Sequence, residues 1–144
     1  MTTARDIMHA GAQCVGENQT LLDAARMMRD QEVGSLPICG EDDRLKGVVT
    51  DRDIVVHCLA EGGDPSRVKA KEFASHIHAV SADDDIGTVL RKMQEHKIRR
   101  LPVIDNGRLC GMISEADLAV AHARKNALSD KELASFVDQI YATT

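Results

Sequence analysis

The stretch LPICGEDDRLKGVVTDRD at residues 36–53 returns in altered form as LPVIDNGRLCGMISEAD at residues 101–117. The Leu-Pro pair of the first copy stands 65 positions before that of the second, whereas Gly47 stands 64 positions before Gly111. One residue is therefore missing from the intervening turn, where a deletion is tolerated because turns lie at the surface. The chain contains an internal repeat, and this repeat decides its architecture.

Both copies predict the same order of helices and strands. Helices are expected after Thr20 and after Asp85, because each residue is a good N-cap and apolar residues follow at helical spacing. Brief apolar segments before these helices predict short strands, and the Leu-Pro segments predict the first strand of a hairpin. Second helices are expected after Thr50 and Ser114. Each half thus reads strand, helix, strand, strand, helix.

The repeat boundaries predict one domain over residues 4–62, a second over 70–122 and a terminal helix over 127–142. Units of about 60 residues are small for a core of their own, so we expect the two to pack against each other. The terminal helix is amphipathic, and its apolar stripe consists of Leu133, Phe136, Val137 and Ile140. We expect this stripe to pack on its own chain; the alternative is a subunit contact.

Composition excludes several classes of function. The 144 residues are 43% apolar and 28% charged, as in folded soluble proteins, and no apolar run reaches the length of a membrane helix. The start of the sequence lacks a secretory pattern, so a cytoplasmic location is expected, with export by an unusual route left open. A net charge of −5 and only three aromatic residues argue against nucleic-acid binding.

The motif Gly-x-Val-Thr-x-x-Asp, which ends the first copy, recurs with Ile and Ser in place of Val and Thr. As structure, Thr50 with Asp53 and Ser114 with Asp117 are capping boxes at strand-to-helix junctions. As function, a helix N-terminus attracts an anion, and a carboxylate accepts hydrogen bonds from ribose hydroxyls. Arg52 adds a phosphate-binding side chain, whereas its counterpart is an alanine, so the two sites should differ.

The two Leu-Pro pairs and the two glycine-to-aspartate motifs resemble a tandem pair of cystathionine-beta-synthase (CBS) domains, or Bateman module, over roughly residues 4–122. The resemblance implies an α+β fold of two βαββα units, packed through their sheets about a pseudo-twofold axis, and a homodimer. It also implies clefts that bind adenosine-containing ligands such as AMP, ATP or S-adenosylmethionine. The residues expected at these ligands are Thr50, Arg52, Asp53, Ser114 and Asp117, with Val15, Val80, Arg99 and Arg100.

Two of the four cysteines, Cys14 and Cys39, occupy the positions of Ala79 and Ile104 in the other repeat. The family fold implies that these positions lie on neighbouring parallel strands, which would bring the two sulfurs within bonding distance. The sequence alone leaves open a second interpretation, in which all four cysteines are buried thiols.

A metal site is the other open question. His76 and His78 would share one side of an extended segment and could hold zinc if a third ligand approached. The alternative is that both are surface histidines, because no further ligand is indicated by spacing.

The function expected from these observations is non-enzymatic. The sequence has no P-loop and no dinucleotide-binding glycine pattern, and no nucleophile with its base is recognisable. We therefore expect a regulatory or stress-response protein that needs no cofactor, senses an adenine nucleotide and acts on a separate protein partner. The alternative is a redox- or metal-responsive interaction protein that uses Cys14 with Cys39, or His76 with His78.

Overall fold

Each sequence repeat forms a βαββα unit in the computed structural model, which describes residues 1–74 and 77–143. The first-repeat unit comprises Gln13–Ile77, and the second-repeat unit comprises Met1–Ala12 with His78–Thr144. The predicted α+β class, the order of elements and the additional terminal helix are confirmed.

The helices and strands, in chain order, are α1 (Ala4–Ile7), β1 (His9–Ala10), β2 (Val15–Gly16), α2 (Leu21–Gln31), β3 (Ser35–Cys39), β4 (Leu45–Thr50), α3 (Asp51–His57), β5 (Val80–Ser81), α4 (Ile86–His96), β6 (Arg100–Asp105), β7 (Arg108–Ser114), α5 (Glu115–Lys125) and α6 (Asp130–Thr143). Two 3₁₀ turns, Leu59–Glu61 and Ala70–Phe73, follow α3. Within residues 1–74 and 77–143, no helix has the length and apolar character needed to cross a bilayer.

The first-repeat unit is built on a three-stranded sheet in the order β2-β3-β4, with β2 parallel and β4 antiparallel to β3. Leu36 lies opposite Val49 across the hairpin, and both side chains are buried. They belong to one core cluster with Leu21 and Met28 of α2 and Ile54 of α3. The apolar residues at helical spacing in α2 therefore face the sheet, as the sequence pattern predicts.

The second-repeat unit has the same hairpin with one more strand, in the order β1-β7-β6-β5. Leu101 and Ile113 replace Leu36 and Val49 as the buried cross-strand pair. Asn106 and Gly107 both have positive φ, 53° and 78°, which is the backbone of the tight hairpin turn that an Asn-Gly pair favours.

Each repeat begins with a short lead-in segment, residues 4–8 in the first and residues 70–74 in the second. Each lead-in segment packs with the other repeat. Ala4 is fully buried in the second-repeat unit, where its amide donates to the carbonyl oxygen of Asp84 at 2.8 Å. Ala70 is fully buried in the first-repeat unit and donates in the same way to Gln19 at 2.8 Å. The compact units therefore differ from the two sequence repeats, because residues 1–12 precede the rest of the first repeat in the chain but pack in the unit of the second.

Helix α6 packs on its own chain through part of its apolar stripe. Phe136 is 5% exposed within the core of the second-repeat unit, and Leu133 packs against that core. The side-chain amide of Gln94 in α4 donates to the carbonyl oxygen of Ser135 at 2.9 Å. Val137 remains 44% exposed. Of the predicted stripe, therefore, only the side with Leu133 and Phe136 packs against the core.

We predict that Phe136→Ala lowers the free energy of unfolding by about 3 kcal/mol, because it removes a buried aromatic ring and leaves a cavity. Val137→Ala is the matched control on the same helix, and its exposed side chain should change stability by less than about 0.5 kcal/mol. Urea denaturation followed by circular dichroism measures both. Equal effects of the two substitutions would show that α6 does not close the core.

Candidate functional site

The predicted capping box of the first-repeat unit forms at the start of α3. The amide of Asp53 donates to the Thr50 hydroxyl oxygen at 3.1 Å, and the amide of Thr50 donates to Oδ2 of Asp53 at 2.9 Å. Within the described ranges, Oδ1 of Asp53 has no hydrogen-bond partner and the Thr50 hydroxyl donates no hydrogen bond. This corner therefore presents one acceptor oxygen and one hydroxyl proton that the described part of the chain does not use.

The second-repeat unit repeats the box at the start of α5 but uses its aspartate more fully. Oδ2 of Asp117 accepts from the amide of Ser114 at 2.8 Å and from its hydroxyl at 3.0 Å. Oδ1 lies 2.8 Å from Nε2 of His9. Both oxygens of Asp117 and the Ser114 hydroxyl proton are thus engaged, so the two equivalent corners differ in what they offer a ligand.

The helix-start amides of α3 all have acceptors within the protein. The amide of Asp51 donates to the Gly34 carbonyl oxygen at 2.9 Å, and the amide of Arg52 donates to Oδ1 of Asp51 at 2.8 Å. The third amide is taken by Thr50. Because every donor of the first turn already has an acceptor, a phosphate at this corner would depend on the Arg52 guanidinium rather than on the backbone.

A buried hydroxyl beside Thr50 adds a second unused group. Ser35 is the cross-strand partner of Thr50, so the two side chains lie on the same face of the sheet. The Ser35 hydroxyl oxygen is buried and lacks a hydrogen-bond partner in the part of the chain that is described. A buried hydroxyl is seldom left unpaired, because it has lost its bonds to water. The corner therefore has capacity for a further polar partner.

The other predicted ligand residues take different positions. Arg52 is exposed in the first turn of α3, and Arg100 is exposed opposite Ser114 across the β6–β7 pair. Arg99 is exposed, and its carbonyl oxygen accepts from the first amide of α5 at 2.9 Å. Val15 and Val80 are fully buried in the two cores. Ligand contact by these five residues stays a prediction.

Cys14 and Cys39 form a disulfide in the first-repeat unit, with Cα atoms 5.8 Å apart. Val15, directly after Cys14, pairs with Ile38 in the parallel β2–β3 ladder, and this pairing brings the two sulfurs together. The bridge closes a loop that contains α2, since 25 positions separate its cysteines. The disulfide inferred from the family resemblance is therefore present.

The two remaining cysteines are free thiols. Cys58 is buried in the core of the first-repeat unit. Cys110 is partly buried, and its Sγ lies 3.4 Å from the carbonyl oxygen of Val103. Burial raises the pKa of the Cys110 thiol because the surrounding protein solvates a thiolate poorly. This cysteine is therefore a weak nucleophile at neutral pH.

The histidine pair is only partly within the described residues, because His76 lies outside them. His78 stacks on His96 of α4 with ring centroids 3.7 Å apart. Over residues 1–74 and 77–143, no group of three or more His, Cys, Asp or Glu side chains is arranged to hold a metal ion.

Sequence reasoning missed two residues that distinguish the corners, His9 and Ser35. His9 lies 108 positions from Asp117, and nothing in its neighbourhood marks it as a partner. One signal was available, since residues 4–8 match residues 70–74 and His9 therefore stands where the other repeat has Ser75. Ser35 gave no signal, because a serine at the start of a strand is ordinary.

Comparison with known proteins gives a consistent result. The family model of the CBS domain matches residues 4–59 and 70–124. Hypoxic response protein 1 of Mycobacterium tuberculosis is 54% identical over 120 residues, which cover 83% of this chain and 84% of that protein. The CBS domain-containing protein YhcV of Bacillus subtilis is 31% identical over 140 residues, which cover 97% of this chain and 96% of the relative.

Solved structures agree with this assignment. The crystal structure of Hypoxic Response Protein I with two coordinated zinc ions has a TM-score of 0.78 and 54% identity, covering 83% of this chain and 98% of that one. The CBS domain pair of protein MJ0100, in complex with 5′-methylthioadenosine and S-adenosyl-L-methionine, has a TM-score of 0.76. The MJ0100 pair is 24% identical, and the match covers 87% of this chain and 98% of that one. At this identity the match shows that the two proteins share a fold.

We predict two free thiols per chain in denatured, unreduced protein and four after reduction. In the chain-entropy account, a disulfide across a loop of this length stabilises the fold by about 3 kcal/mol, so reduction should lower the urea midpoint. Ellman titration and urea denaturation measure these quantities. Cys110→Ser, the control, should keep the response to reductant, and Cys14→Ser should abolish it. Four thiols without reductant would contradict the disulfide.

Proposed function

This chain belongs to the CBS domain family, and from that premise we propose that it is a non-catalytic regulatory protein that senses an adenosine-containing ligand through Thr50 and Asp53. AMP, ATP and S-adenosylmethionine are the candidate ligands. The observation that carries the proposal is the capping box of Thr50 and Asp53, which leaves one carboxylate oxygen and one hydroxyl proton without a hydrogen bond to the described residues. We also propose that ligand binding regulates a protein partner.

The chemistry of the corner suits a nucleoside. Two neighbouring ribose hydroxyls are donors, and the ionised Asp53 is an acceptor for them. The Ser35 hydroxyl, buried without a partner among the described residues, is a further polar group for the ligand. Arg52 supplies positive charge for a phosphate or another anionic group. The MJ0100 domain pair supports this class of ligand, since 5′-methylthioadenosine and S-adenosylmethionine carry ribose without phosphate.

We predict saturable binding of at least one of AMP, ATP and S-adenosylmethionine in calorimetric titrations. Asp53→Asn should weaken it by about tenfold or more, because an amide replaces a charged acceptor while the cap is kept. Asp23→Asn is the matched control, since Asp23 forms the same capping box with Thr20 at the start of α2. Absence of binding, or equal affinity of the Asp53 variant, would rule out the proposed site.

We also propose that the chain forms a homodimer through a groove between α2 and α3. The groove has a volume of about 520 Å³, with Met28 and Ile54 among its lining residues and Val55 at its edge, 56% exposed. Arg29 on one side and Asp51 on the other give it charges of both signs, so two copies can pair about a twofold axis.

The second-repeat unit supports this assignment, because its own chain covers the equivalent helix surface. Met93 and Leu118, the counterparts of Met28 and Ile54, are fully buried. Gln94, the counterpart of Arg29, bonds to α6 through Ser135. The first-repeat unit lacks such a helix within residues 13–74, so a second copy is the occupant that we assign to its groove.

We predict that Val55→Glu converts a dimer into a monomer, because it places a charge within an apolar interface. Light scattering coupled to size-exclusion chromatography gives the mass directly. Val120→Glu is the control, since Val120 is 47% exposed on α5 of the second-repeat unit. A wild-type monomer, or a Val55 variant that remains dimeric, would contradict the proposed interface.

A redox-responsive role is the second candidate, and the Cys14–Cys39 disulfide favours it. In that case reduction would expose sites within the first-repeat unit to limited proteolysis, and the nucleotide panel would show no binding. The zinc ions named for Hypoxic Response Protein I do not decide the matter here. His78 and His96 bring two imidazoles together, but residues 1–74 and 77–143 supply no third ligand beside them.

A further inference from the structure

The inference concerns His9, which contacts the second of the two equivalent aspartates. Nε2 of His9 lies 2.8 Å from Oδ1 of Asp117, and the equivalent oxygen of Asp53 has no hydrogen-bond partner within residues 1–74 and 77–143. Only 11% of the Asp117 side chain is exposed, whereas 82% of the His9 side chain is exposed. The imidazole therefore lies on the solvent side of the carboxylate and covers the position that a ribose hydroxyl would take.

The backbone holds His9 in this position. Strand β1 pairs antiparallel with β7, with His9 opposite Met112 and Ala10 opposite Gly111. Gly111 allows this close approach, since a Cβ atom there would lie 2.7 Å from the carbonyl oxygen of His9 and 2.6 Å from Sδ of Met8. The glycine of the repeated motif thus has a tertiary purpose, which is to let the lead-in segment lie against β7.

We propose that His9 determines which of the two corners binds a nucleoside: it closes the Ser114–Asp117 corner and leaves the Thr50–Asp53 corner as the binding site. This inference rests on the proposed function. A ligand at the closed corner has to displace the imidazole from its 2.8 Å contact with the carboxylate, which weakens its binding by about tenfold or more. The chain accordingly takes up one ligand rather than two.

The contact is reversible in principle, because His9 lies at the edge of its sheet. Strand β1 has two residues and pairs only with β7 within the described residues. Removing the imidazole should therefore expose Asp117 without disturbing the core, since His9 is itself exposed. Serine is the natural replacement, because the other repeat has Ser75 at the matching position.

The test is the number of AMP, ATP or S-adenosylmethionine molecules bound per chain, measured by equilibrium dialysis. Wild type should bind one, which depends on Asp53. His9→Ser should bind two, and adding Asp117→Asn to it should return the number to one. Ala10→Ser, in the same strand but away from the carboxylate, is the control and should bind one. Thermal melting checks that every variant is folded.

The outcomes separate this inference from the function on which it rests. One ligand in both wild type and His9→Ser, or two in wild type, overturns the role of His9 while leaving the Asp53 site intact. No ligand in wild type and one Asp117-dependent ligand in His9→Ser overturns the Asp53 site and supports the role of His9. No ligand in either protein overturns both.

Discussion

Each repeat turns from its last strand into its last helix through a capping box, and the proposed binding depends on the side-chain atoms that this box does not use. A capping aspartate needs only one oxygen to satisfy the backbone amide at the helix start. Within residues 1–74 and 77–143, the other oxygen of Asp53 has no hydrogen-bond partner, whereas that of Asp117 lies 2.8 Å from Nε2 of His9. The same local structure therefore differs between the two units in the contacts of its second carboxylate oxygen.

The two units have the same βαββα order but have diverged in three places. The first-repeat unit has the Cys14–Cys39 disulfide and an uncovered groove between α2 and α3. The second-repeat unit has a fourth strand, β1, and is covered by α6. The two units are thus stabilised differently: the second-repeat unit gains apolar burial from the chain ends, and the first-repeat unit is cross-linked.

The helix-start amides show how one motif can indicate two different roles. A strand followed by Thr-x-x-Asp indicates both a cap and an anion site, because each uses the free donors of a helix start. In α3 those donors are consumed by Gly34, by the side chain of Asp51 and by Thr50. Among the described residues one oxygen of Asp53 remains without a partner, and for this reason the proposed ligand is recognised through hydroxyl groups rather than through phosphate at the backbone.

The sequence by itself determined the features that depend on residues within a few positions of one another. The repeat, the capping boxes and the Asn106-Gly107 turn are of this kind, because their hydrogen bonds and φ angles arise inside one turn of chain. Tertiary structure alone decided that each lead-in segment packs with the other repeat and that His9 contacts Asp117. It also decided that α6 uses half of its stripe. Those contacts join residues far apart in the chain, and packing selects among partners that no local pattern distinguishes.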